Sequence, residues 1–125
     1  MQKTVEILLI DDETEFTSTL AERLSLRGYD TRTAEDGETG IRMILEHPAD
    51  IIILDLMMPG LSGLETLKQL KSIHPEIPMI LLTGHGSTKE GMEGMRLGAY
   101  DYLMKPLDIH ELTEKIAAAL KGQTP

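Results

Sequence analysis

The chain has 125 residues and a formal net charge of −9, with 12 Lys and Arg against 21 Asp and Glu. That balance argues against a sequence-independent grip on nucleic acid or on an anionic membrane, which both need basic surface, and favours cations or other proteins as partners. Cysteine is absent, which excludes disulfides and thiolate chemistry; no stretch reaches the ~18 apolar residues of a membrane span, and the N-terminal apolar run meets Asp11 too soon for a signal-peptide core, so the expected location is cytoplasmic.

One domain is the natural reading, with a core over about residues 5–120 and 121–125 as a tail or the start of a linker. With one Phe, three Tyr and no Trp, the core must be aliphatic, and the eight Met are expected there as adaptable filler rather than around a partner groove. The first strand is expected over 6–10, where Ile7-Leu8-Leu9-Ile10 runs into Asp11-Asp12. Phe16, Leu20 and Leu24 then repeat at helical spacing, with Gly28 as the stop, and a second strand is expected over 30–33. Ile41, Ile44 and Leu45 mark a second helical face that ends at His47-Pro48. A third strand over 51–54, Ile51-Ile52-Ile53-Leu54, leads into Asp55 and the breakers Met58-Pro59-Gly60. Leu64, Leu67 and Leu70 form the third helix, ended by His74-Pro75, and the fourth strand covers 79–82. The helix after Ser87 contains Gly91 and Gly94, each costing about 1 kcal/mol relative to Ala, so it is expected to be soft. A fifth strand over 101–104 precedes Lys105-Pro106, and Leu112, Ile116 and Leu120 mark the last helix, with Asp108 and Glu111 as a capping box. His47, His74 and His110 fall near helix ends and are expected at the surface, too scattered for a transition-metal site.

Short continuous aliphatic runs read as strands buried on both faces, and strict strand–helix alternation implies a parallel sheet with right-handed crossovers and helices on both sides. Ligands of such sheets bind outside the carboxyl ends of the strands. Asp11, Asp12 and Asp55 therefore converge if the first and third strands are neighbours, about 4.8 Å apart. Two carboxylates some 5 Å apart repel by roughly 3 kcal/mol at an effective dielectric near 20, so a proton, a cationic side chain or a metal must relieve them. All-oxygen ligation suits Mg²⁺, Lys105 can supply a positive charge, and Thr83 offers a hydroxyl that Gly84 leaves accessible. Taken singly, each has an ordinary explanation; Asp-Asp-Glu-Thr is also a plain helix start, with Asp12 or Thr14 as cap. Their coincidence at successive strand ends on one edge favours function.

The set Asp11-Asp12, Asp55 followed by Met58-Pro59-Gly60, Thr83-Gly84 and Lys105-Pro106 resembles the receiver domain of two-component response regulators, from about Val5 to Leu120. The resemblance implies an α/β fold: a flavodoxin-like, doubly wound five-stranded parallel sheet of order 2-1-3-4-5 with five helices. It implies that Asp55 is the phosphoacceptor, that Asp11, Asp12, Asp55 and the carbonyl of Met57 hold Mg²⁺, and that the Lys105–Pro106 peptide is cis. The phosphoryl donor would be a histidine kinase or phosphotransfer protein, docking near Glu15, Phe16, Thr19, Glu22 and Arg23. The domain would then be no enzyme toward other substrates, catalysing only its own phosphorylation and dephosphorylation. Thr83 and Tyr102 would form the switch, remodelling the surface of the fourth helix, fifth strand and fifth helix, through which a homodimer is plausible. Met57 and His85 would gate the attacking water; apolar Met57 cannot orient it, which favours a slow reset. A haloacid-dehalogenase phosphatase would need its nucleophile after the first strand, and a flavodoxin electron carrier a Ser/Thr/Gly-rich loop there. Neither fits, and a module with a decayed pocket would lack the pocket residues present here.

Overall fold

The aliphatic runs become the three inner strands of one parallel sheet. In the computed structural model, which describes residues 4–58, 60–84 and 88–122, these are β1 (Glu6–Ile10), β3 (Ile51–Asp55) and β4 (Met79–Thr83). The more polar β2 (Asp30–Ala34) and β5 (Asp101–Met104) take the two edges, giving the expected order β2-β1-β3-β4-β5. Polar residues suit an edge strand because one of its sides lacks a ladder neighbour. β3 and β4 each run one residue beyond the expectation, so that Asp55 and Thr83 are their last residues. Both functional candidates therefore hang from backbone that the sheet itself holds in place.

The connections are α1 (Thr14–Leu26), α2 (Gly37–Glu46), α3 (Gly63–Ile73), α4 (Thr88–Arg96) and α5 (Ile109–Lys121). Alternate strand residues face opposite ways. Ile7, Leu9, Ile51, Ile53, Ile80 and Leu82 pack with Leu20 and Leu24 of α1 and Leu112 and Ile116 of α5. Leu8, Ile10, Ile52, Leu54 and Leu81 pack on the other side with Ile44 of α2 and Leu67 and Leu70 of α3. Each fully buried Leu or Ile contributes roughly 1.5–3 kcal/mol, so these two layers supply most of the driving force. Gly28 closes α1 at φ +91°, a left-handed conformation that other residues avoid.

Four expectations need correction. Leu45 is 61% exposed, because the buried stripe of α2 is Gly37, Gly40 and Ile44, and Leu45 lies beside it. Only some of the described methionines are core: Met58 and Met79 are buried and Met43 packs half-buried against the core, whereas Met57, Met92, Met95 and Met104 are exposed. In α4 the inner positions belong to Gly91 and Gly94, which turns Met92 and Met95 outward. A Cβ at Gly94 would lie 2.1 Å from Leu81 Cδ1, and one at Gly91 would lie 2.7 Å from Tyr102 Cδ2. Close approach of helix to sheet thus explains both glycines. Asp108 does cap α5, but through the His110 N–H at 2.8 Å rather than that of Glu111, so the capping box is incomplete. Neither Asp12 nor Thr14 is the cap of α1; Glu13 occupies that position without a side-chain capping bond.

Candidate functional site

β1 and β3 are adjacent, with Ile10 opposite Leu54, so the residues that follow them emerge side by side. Asp11 is fully buried and Asp55 is 2% exposed, while Asp12 is exposed at the rim. One carboxylate oxygen from each lies within 4.8 Å of the other two, the expected convergence. Backbone donors fix two of them: Asp11 Oδ1 accepts from Glu13 N at 2.9 Å, and Asp55 Oδ1 accepts from Met57 N at 3.1 Å. The Asp11 N–H donates to Ala34 O and the Leu56 N–H to Leu82 O, locking both loop starts to neighbouring strands.

Lys105 reaches this cluster from the end of β5 across the intervening strand. Its Lys105–Pro106 peptide is cis, as expected. Its Nζ lies 2.8 Å from Asp11 Oδ2, 2.5 Å from Glu13 Oε1 and 3.6 Å from Asp55 Oδ2. The Asp11 Oδ2 approach is a charge contact whose angles do not make a hydrogen bond. The ammonium also stands 4.3 Å from the centroid of the Phe16 ring. Burial opposes the Lys105 charge, but its contacts with Asp11 and Glu13 and the charges of Asp55 and Asp11 outweigh it, holding the pKa above the ordinary lysine value. Burial also acts most strongly on Asp55, pushing its carboxyl from 3.8 to about 6; the Asp11 charge adds to this, while the Met57 N–H and Lys105 work against it.

Thr83 stands at the same edge, fully buried, and its hydroxyl donates a long 3.4 Å bond to the Leu103 carbonyl on β5. Gly84 follows it directly. Tyr102, one residue before Leu103, packs half-buried against the layer under α2, α3 and α4, with its ring seated on Gly91. Met57 is 56% exposed on the loop after Asp55, beside the cluster. His85, the other expected gating residue, lies outside the described residues, as do Pro59 and Ser87. Phe16, Thr19 and Arg23 of the expected docking face line a groove with Lys105 and Pro106. Among the described residues, Asp11, Asp12 and Asp55 form the one group of three metal-capable side chains.

Glu13 is the participant that sequence reasoning missed. The Asp-Asp-Glu run was legible as acidic, but its third member reads as part of a helix start. Glu is a poor N-cap, which is the signal that its carboxylate has another partner.

The chain matches the model of the response regulator receiver domain over residues 7–117. It belongs to the receiver family of two-component response regulators. Transcriptional regulatory protein CpxR of Klebsiella pneumoniae is 42% identical over 116 residues, covering 93% of this chain and 49% of that protein. Response regulator MprA of Mycolicibacterium vanbaalenii is 38% identical over 121 residues, 97% of this chain and 52% of that protein. This receiver thus spans about half the length of the curated relatives it matches. The receiver domain of NtrX from Brucella abortus superposes with a TM-score of 0.89 at 34% identity, covering 92% of this chain and 98% of that one. A receiver domain protein from Clostridium thermocellum gives 0.91 at 34% identity, covering 95% and 96%. No described helix of the receiver is long and apolar enough to cross a membrane.

Proposed function

We propose that Asp55 accepts a phosphoryl group from the phosphohistidine of a histidine kinase or phosphotransfer protein, in a reaction that needs Mg²⁺. The observation that carries this reading is a nearly buried carboxylate at the end of β3 with two further carboxylates within 4.8 Å and an ammonium 3.6 Å away. An all-oxygen donor set of this kind fits a hard divalent cation that keeps several waters. Asp11, Asp12, Asp55 and the Met57 carbonyl would hold it, and when bound it supplies positive charge to the phosphoryl oxygens.

The chain's own part is positioning and charge neutralisation, which is most of what phosphoryl transfer asks of a protein. The Met57 N–H fixes one oxygen of Asp55. The other attacks phosphorus in line; an O–P bond forms, the N–P bond of the donor breaks, and the imidazole leaves. Lys105 moves the short distance from its present contacts onto a phosphoryl oxygen. Hydrolysis of the acyl phosphate resets the pocket, with Met57 flanking the water path.

The second state follows from the new charge. A phosphoryl group adds nearly two negative charges and strong acceptors. The Thr83 hydroxyl gains a better acceptor than its 3.4 Å contact with Leu103 O, and the Gly84 N–H a second one. Departure of Thr83 from β5 loosens the neighbourhood of Tyr102, whose ring moves inward and reshapes the α4-β5-α5 surface, the face through which a homodimer would form. Incubation with acetyl phosphate and Mg²⁺, followed by intact mass, tests the core of this reading. A gain of one phosphoryl mass is expected for the wild type and none for Asp55→Ala or in EDTA; labelling of either would refute it.

A further inference from the structure

We propose that Glu13 is a positioning residue that draws the Lys105 ammonium to the α1 side of the pocket and so leaves Asp55 open to a divalent cation. This rests on the reading of Asp11, Asp12 and Asp55 as a Mg²⁺ site. Lys105 Nζ is nearest to Glu13 Oε1 at 2.5 Å and to Asp11 Oδ2 at 2.8 Å, and only third to Asp55 Oδ2 at 3.6 Å. The Phe16 ring, also on α1, faces the ammonium at 4.3 Å. Asp55 is far more buried than Glu13 and, at 3.6 Å, the least neutralised of the three carboxylates, so an ammonium released from Glu13 would be drawn to it. Glu13 at the N-cap of α1 and Phe16 in its first turn hold it back.

The local structure shows that Glu13 is committed to this task. It stands at the N-cap of α1, yet its side chain makes no capping bond, whereas Asp36, Ser62 and Asp108 cap α2, α3 and α5 with theirs. Its backbone N–H is held by Asp11 Oδ1 at 2.9 Å, which fixes its main chain to the pocket floor. The carboxylate is 63% exposed and reaches inward only to meet Lys105. Replacing it removes little packing.

Without Glu13, the ammonium redistributes onto Asp11 and Asp55 and competes with the cation for their oxygens. Loss of the Glu13 charge weakens cation binding too, so the two effects must be separated by a double-mutant cycle. Mg²⁺ alone is titrated into wild type, Glu13→Gln, Lys105→Met and the double variant, by calorimetry and by NMR of the Lys105 Cε and Nζ signals. Glu13→Gln should weaken Mg²⁺ binding about three- to fivefold with Lys105 present, in line with an exposed ion pair, and less than about twofold in Lys105→Met. The Lys105 signals should move in metal-free Glu13→Gln and move less in Glu13→Asp. Equal weakening in both backgrounds, or unmoved Lys105 signals, would overturn the proposal and leave the Mg²⁺ site standing. A wild type that fails to bind Mg²⁺ at millimolar concentration would overturn both.

Discussion

Replacing Asp55 by Asn should make the metal-free receiver more stable at pH 7.5. Asp55 is 2% exposed, and its carboxyl is raised from 3.8 to about 6, chiefly by burial, with the Asp11 charge adding to the effect. Between those two values the native protein holds a proton that the unfolded chain releases, so stability falls as pH rises through that window. Above about 6 the whole penalty is present, and below 3.8 it is absent. Such a displacement corresponds to about 3 kcal/mol as an upper bound. Asn keeps an acceptor for the Met57 N–H, but its NH2 must find acceptors in a nearly buried site, which reduces the expected gain to about 1–2 kcal/mol. For a chain of this size, that is a rise in Tm of roughly 3–10 °C. Urea unfolding in EDTA, followed by circular dichroism at pH 7.5 and pH 4, measures it. The gap between variant and wild type should largely close at pH 4, because the native carboxyl is then protonated and the pH lies close to the unfolded value of 3.8, where most of the penalty is gone. Saturating Mg²⁺ should stabilise the wild type and leave the variant nearly unchanged. A variant no more stable than wild type at pH 7.5, or one whose advantage is undiminished at pH 4, would refute the reasoning.

Other expectations concern α4 and the reset. Gly94→Ala adds helix propensity worth about 1 kcal/mol, but its Cβ would stand 2.1 Å from Leu81 Cδ1 in a filled core, where overpacking costs ~1–3 kcal/mol. The expected net is a loss of about 1 kcal/mol by urea unfolding, and a stabilised variant would contradict the close packing of α4 on the sheet. Met57→Asn should shorten the phosphoryl half-life severalfold, because an amide on this 56%-exposed side chain can orient water where a thioether cannot. Intact mass followed over time after removal of the donor reads this out, and an unchanged half-life would remove Met57 from the water path.

How far the amino-acid order alone reaches can be judged residue by residue. Uninterrupted β-branched and leucine runs have one comfortable conformation, a strand covered on both faces, and parallel pairing then brings every strand's carboxyl end to a single edge. Asp11, Asp55 and Thr83 were legible for that reason, since each directly follows or ends such a run, and Lys105 was legible from its place between the fifth strand and Pro106. The order of the strands was legible through the family resemblance. Tertiary packing decided the rest. Hydropathy puts Met92 and Met95 inside α4, yet the helix lies so near Leu81 and Tyr102 that only Gly91 and Gly94 fit against the sheet. The Thr83 hydroxyl faces Leu103, a partner set by the packing of β4 on β5. Glu13 and Lys105 are 92 positions apart, and no spacing rule joins them. A strand's burial is set by its own few residues, whereas the partner of a long charged side chain is whatever the folded crossovers deliver within a few ångströms of its tip.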